Sequence, residues 1–333
     1  MDGHATSAFT PARPAGSPER RFARFAWALL GYTLLVILFG AVVRITGSGA
    51  GCGQHWPSCN GELLHLPQTL KTSIEYGHRA TSGLSVIAIV ALVAFAFRIY
   101  PRAHAVRRAA GLAFLMIVVE ALIGALLVKA RLVENDASLG RVVVLPLHLL
   151  STALLTAALA WCAFFATGSA RRAPLPSGAR LLLVLAGLAI LLVSATGAVT
   201  ALGDTVYPVQ TSGLAARLNE DQGAGATLLQ RMRGIHPFLA VAVAAFVAYA
   251  AALLPGYRAS RAVKRASLAL VCCVSLQVLA GSLNVWLSAP GPMQVVHLLF
   301  ANFTWISLIL LAAAALGEAD APEAPANEAP SPV

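Results

Sequence analysis

The sequence predicts an all-α integral membrane protein: eight transmembrane helices forming two pseudo-symmetric four-helix bundles, with both termini cytoplasmic. Composition, the length of the apolar runs and an internal repeat predict it. Of 333 residues, 58% are hydrophobic and only 11% are charged, whereas a soluble domain carries about a quarter charged residues. That much apolar surface cannot be hidden from water by folding alone, so it belongs in lipid. The net charge of +10 would suit nucleic acid. The arginines cluster between apolar runs instead, as the positive-inside rule requires, and no nucleic-acid partner is expected.

Apolar runs of about 20 residues read as spanning helices. They fall at roughly 25–46, 75–99, 106–129, 141–167, 179–203, 230–254, 262–287 and 291–316. The Pro- and Ala-rich tails, 1–24 and 317–333, are expected to be disordered. Between them lie an N-terminal bundle (25–167, with an outer loop at 47–74), a cytoplasmic linker (168–178) and a C-terminal bundle (179–316). The loops fix direction. One set holds Arg13, Arg20, Arg21 and Arg24, then Arg98, Arg102, Arg107 and Arg108, then Arg171, Arg172 and Arg180, then Arg258, Arg261, Lys264 and Arg265. The opposite set mixes fewer cations with Glu134, Asp136, Glu220 and Asp221. The first set is therefore cytoplasmic, and segments 47–74, 130–140, 204–229 and 288–290 face outside. The first span serves as an uncleaved anchor. Asp2 and Glu19 weigh against an organellar transit peptide, which favours a prokaryotic plasma membrane.

The halves repeat. "VVEALIGALLVKARL" (118–132) aligns with "SLQVLAGSLNVWLSA" (275–289), setting Glu120 against Gln277 and Gly124 against Gly281. "LPLHLLSTALL" aligns with "MQVVHLLFANF", setting His148 against His297. "GAVVRITGSG" aligns loosely with "GAVTALGDTV", and His78 falls opposite His236. Parallel repeats of this kind are an established membrane architecture.

Of eight histidines, His78, His148, His236 and His297 lie in spans, one near the outer end of each even-numbered helix. At 1.5 Å per residue they share a depth of about 5–10 Å. Intramembrane titratable groups are costly and usually functional. Neutral imidazole is a good axial ligand for haem iron, and two helices can present one each to a shared plane. The spacing predicts two bis-histidine sites, His78 with His148 and His236 with His297. A proton relay or a bare metal site is the alternative, although transition-metal sites built on histidine usually take three ligands or a carboxylate.

Two features break the symmetry. Glu75 stands three residues before His78 and so shares its face, whereas Arg233 occupies that place before His236. A carboxylate beside a porphyrin can act as base, steady a cation or relay protons; it can equally favour a helix N-terminus or pair with Arg79. The first outer loop, "TGSGAGCGQHWPSCNGELL", has no counterpart in the second half. Facing an oxidising compartment, Cys52 and Cys59 are expected to form a disulfide, with a Cys/His metal site at His55 as the lesser reading. Arg44 and Arg79, at the histidines' depth, are candidates to pair with haem propionates or to snorkel. Glu120 and Gln277 lie deeper and are expected to hydrogen-bond between helices.

The combination "VVRITGSGAGC", "WPSCNG", "IEYGHR" and three further spaced histidines resembles the haem A synthase family across nearly the whole chain, tails excluded. The resemblance implies two pseudo-symmetric four-helix bundles and oxidation of the C8 methyl group of haem O to a formyl group, giving haem A for terminal oxidases. It implies His78 and His148 as ligands of the substrate haem O, Glu75 as the acidic catalytic residue, and His236 and His297 as ligands of a haem b cofactor. It also implies that Cys52–Cys59 is the loop disulfide of many bacterial members. Some members have a second pair in the other large outer loop, but 203–229 contains no Cys here. Expected partners are haem O delivered by a haem O synthase, an unidentified electron acceptor and membrane lipid, with homo-oligomerisation left open. A di-haem cytochrome b-like electron-transfer protein is the alternative. It explains paired histidines but not Glu75 or the cysteine loop. A transporter is a third class, disfavoured because all four histidines lie on one side.

Overall fold

The computed structural model describes residues 16–64, 66–134, 136–168, 174–209 and 214–317. His4, Arg13, His65, Arg171, Arg172, residues 169–173 of the expected linker, and the tails at 1–15 and 318–333 lie outside these residues. The described residues form α1 (Pro18–Ile45), α2 (Leu70–Ile99), α3 (Ala105–Lys129), α4 (Leu139–Ala166), α5 (Ser177–Val206), α6 (Leu214–Gln222), α7 (Leu228–Tyr257), α8 (Arg261–Trp286) and α9 (Gly291–Leu316). All except α6 are long and apolar enough to cross a membrane.

Two helices begin well before their apolar runs. Hydropathy marks where lipid begins, while caps mark where hydrogen bonding begins. The end of the tail placed at 1–24 is helical: Ser17 caps α1 by accepting from Arg20 N at 3.3 Å, Pro18 opens the first turn and Glu19 complements the dipole. Thr69 caps α2 by accepting from Thr72 N at 3.2 Å. Glu75 therefore stands in the second turn, inside the helix rather than at its end. The short α6 lies within the segment expected to be an outer loop and packs on α7.

In the first half α1 packs on α2 and α4, and α3 on α2 and α4; in the second, α7 packs on α5 and α8, and α9 on α8 and α5. The halves meet where α4 touches α5 and α9, and where α1 touches α9. Small side chains allow close approach in lipid: Ala110 and Ala113 of α3 and Ala160 and Ala163 of α4 are fully buried. Leu35, Ile87, Leu122, Leu188 and Val241 are more than half exposed and give the bundle an apolar outer surface suited to lipid.

The core is not spread evenly along the spans. It takes Phe22 to Leu30 from α1, Ile89 to Tyr100 from α2, Ala105 to Ile117 from α3 and Leu155 to Ala166 from α4. In the second half it takes Val247 to Leu254 from α7 and Leu308 to Ala315 from α9. All of these belong to the end that bears the basic loops. The other end, beneath the cysteine loop, is hollow, and the four spanning histidines lie in that hollow end.

Candidate functional site

The hollow end encloses a cavity of about 1380 Å³, above the roughly 300–1,000 Å³ of an ordinary small-molecule site. Glu75, His78, His148, His236 and His297 line it, together with Arg44 and Arg79. Cys52 and Cys59 are bonded to each other (S–S 2.00 Å) and lie outside its lining.

Each imidazole lies against a glycine of the preceding spanning helix. A Cβ added to Gly40 of α1 would come within 3.1 Å of His78 Cε1, and one on Gly197 of α5 within 3.0 Å of His236 Cε1. At Gly281 of α8 the approach to His297 Cε1 would be 2.8 Å, and at Gly124 of α3 the approach to His148 Cε1 a relaxed 3.8 Å. Small residues let ring and helix approach closely and leave the ring's far side to the cavity. The repeat had already set Gly124 against Gly281 and Gly40 against Gly197. What it could not show was that these glycines seat the histidines.

The rings' nitrogens are sparsely used. Nδ1 of His78, His148 and His297 is buried without a hydrogen-bond partner, an uncommon state for a buried polar atom. His148 Nδ1 lies 3.2 Å from Glu120 Oε1 but out of alignment for a hydrogen bond. His236 Nδ1 is 3.0 Å from Thr196 Oγ1, and the Gln277 amide is 3.3 Å from His297 Nε2. Ser151 and Thr152 hydroxyls donate to Glu120, which gives this deep carboxylate the interhelical bonds expected of it. Among the described residues no group of three or more His, Cys, Asp or Glu could hold a metal ion. Two imidazoles per half, unpartnered nitrogens and an oversized cavity fit an iron porphyrin in each half. Such a group would need only the imidazoles of each half from the protein.

Glu75 is 3% exposed. It accepts from Cys52 N at 2.7 Å and from the Arg79 guanidinium, with which it forms an ion pair. Arg79 also donates to the carbonyls of His55 and Ser58. The cysteine loop crosses the start of α2 at Gly51, where an added Cβ would come within 2.6 Å of Lys71 O and where Thr72 Oγ1 donates to the Gly51 carbonyl at 2.9 Å. The disulfide loop thus fixes the backbone donor that holds Glu75. In the other half, Arg233 has a fully buried side chain paired with Asp221 of α6, and it also donates to the Tyr207 carbonyl.

Arg44 reaches across the molecule. Its Nη1 donates to Ala201 O at 2.8 Å and Thr205 Oγ1 at 2.6 Å, and its Nη2 to Gln294 Oε1 at 2.8 Å. It therefore ties α1 to α5 and α9. Trp305 of α9 makes a second tie, donating from Nε1 to Ala153 O of α4 at 2.7 Å. Sequence reasoning assigned nothing to Arg141 of α4, which is 4% exposed and lines the cavity. The available signal was a cation in the first turn of a span entered from the acidic side.

Residues 23–309 match the cytochrome oxidase assembly protein family COX15-CtaA. The chain is 43% identical over 297 residues to a protoheme IX farnesyltransferase of Thermus thermophilus, covering 89% of this chain and 48% of that protein. The chain thus spans about half the length of this relative. It is also 38% identical over 107 residues to a heme A synthase of Bacillus mycoides, 32% of this chain and 34% of that protein. A heme A synthase of Bacillus cereus is 37% identical over the same length, with the same shares.

Proposed function

The chain belongs to the cytochrome oxidase assembly protein family COX15-CtaA, and on that premise we propose that it is a multi-pass membrane haem A synthase, oxidising the C8 methyl group of haem O to a formyl group. The observation that carries the proposal is the cavity's asymmetry. Each of four imidazoles lies against a glycine, and only in the N-terminal half does the residue three places before the first histidine on its helix carry a carboxylate, where the other half has Arg233.

In this reading His78 and His148 hold the substrate haem O, and His236 and His297 hold haem b. Haem b, held there, would supply one-electron redox capacity. Converting –CH3 and water to –CHO releases four electrons and four protons. The electrons go to an acceptor outside this chain, and the protons need a group at the reacting carbon. Glu75 is that group. It shares a face of α2 with His78, and Cys52 N–H and Arg79 hold it in place. The Arg79 guanidinium, itself held by the loop carbonyls of His55 and Ser58, orients the carboxylate toward the cavity. The disulfide end faces outside, in a plasma membrane.

The farnesyltransferase name belongs to a relative about twice this chain's matched length. We assign that activity to the half of the relative that this chain does not match. Its pairing there with a half like this chain suits a haem O synthase that hands over its product.

Extraction and mass analysis of the haems from protein purified out of cells that make haem O tests the proposal. Haem A alongside haem b is expected. Haem b alone, with haem O abundant in the membrane, overturns it.

A further inference from the structure

Four arginines line the cavity: Arg44, Arg79, Arg141 and Arg233. Three have their forks occupied by protein. Arg233 gives Nε and Nη2 to Asp221, Arg79 gives its two terminal nitrogens to Glu75 and the loop carbonyls, and Arg44 gives its own to α5 and α9. Arg141 differs. Both of its side-chain hydrogen bonds leave from Nη1, to the carbonyls of Glu134 and of Asp136 (2.9 Å to the latter). Its buried Nε has no partner. The side chain is pinned by one nitrogen while its Nε–Nη2 edge, the edge that binds a carboxylate bidentately, is left over. A buried guanidinium with an unused fork is costly unless a ligand completes it.

Position narrows the ligand. Arg141 stands two turns ahead of His148 on α4, in the first turn of that helix, and both line the cavity. The same place ahead of His297 is Pro290, so the second half has no such cation. A molecule that reaches His148 with one part and Arg141 with another has a ligating centre and a carboxylate edge roughly 10 Å apart, two turns of helix.

We propose that Arg141, rather than Arg44 or Arg79, is the carboxylate-binding residue of the N-terminal half and orients the substrate macrocycle by one of its propionate groups. This rests on the reading of that half as a haem site, and it adds a specificity element that the second half lacks. Fixing the carboxylate edge fixes which ring edge meets Glu75, so Arg141 selects the methyl group that is oxidised.

The test is equilibrium binding, read from the Soret band, of iron protoporphyrin IX and its dimethyl ester to the purified full chain carrying H297A, which limits binding to the first half. The unmodified Arg141 background should prefer the diacid about 10-fold or more, the scale of a charged hydrogen-bonded pair. R141Q should lose that preference by weakening diacid binding while leaving ester binding unchanged; R141K, which keeps the charge without the fork, should recover part of it. Equal affinity for diacid and ester with Arg141 intact, a comparison that needs no Arg141 variant to fold, overturns the proposal. So does a preference that survives R141Q. If the preference depends on Arg141 but cells make no haem A, the carboxylate site stands and the oxidation reading falls.

Discussion

The two halves seat four imidazoles in one manner and differ in the charge that stands one turn before the first. In the N-terminal half that position is Glu75, held by the Cys52 N–H and Arg79. In the C-terminal half it is Arg233, closed off by Asp221 from α6. Each half thus surrounds a buried ion pair, with the signs exchanged along the chain. The first pair is anchored on a loop that a disulfide holds and has its carboxylate on the spanning helix. The second has its cation on the spanning helix and its acid on an added helix. A cation there can only hold; a carboxylate there can also take a proton. A duplicated scaffold can thus carry opposite charge at matched positions through a change of one turn of helix and of the loop or added helix above it.

Several substitutions break or sharpen that comparison. Glu75→Ala should have the largest effect, lowering haem A formation about 100-fold or more while both halves keep their haems. Pigment extraction reads both outcomes, and an unchanged haem A yield would return the two halves to equivalence. Asp221→Ala leaves Arg233 buried and short of its main partner, a change that costs about 3 kcal/mol for pairs of this kind. Denaturant or thermal unfolding of the purified protein should show that loss, with haem b released before haem O. Replacing Cys52 and Cys59 together by Ser removes a short closed ring worth about 2–3 kcal/mol. Stability should fall by that order and turnover with it, because the Cys52 N–H loses its fixed position; full activity in the double variant would detach the loop from Glu75. Smallest are the glycine substitutions, which grade the seats. Gly281→Ala forces the His297 ring to move, an overpacking cost of about 1–3 kcal/mol, and should cut haem b occupancy roughly tenfold. Gly124→Ala meets His148 only at 3.8 Å and should leave occupancy unchanged. A reversed order, read from Soret absorbance per protein, would show that the glycines do not seat the rings.

The sequence by itself determined the class of protein, the eight spans, the internal repeat and the identity of the groups at stake. Apolar run length is set by bilayer thickness, and a repeated histidine needs no coordinates to be noticed. Glu75 and Arg233 could be recognised as the asymmetry because they stand at one spacing from matched histidines. Only the tertiary structure decided what each charge faces. Arg44 and Arg79 looked equally free in sequence, yet their partners are carbonyls and side chains far along the chain, or in a loop that folds back over α2. Sequence reasoning did not single out Arg141, and its unused edge follows from the Glu134 and Asp136 carbonyls both engaging Nη1. The starts of α1 and α2 were hidden for a related reason: a cap is a local hydrogen bond that hydropathy does not register. Periodicity and composition are properties of one strand of chain. A guanidinium's free edge is a property of everything packed around it.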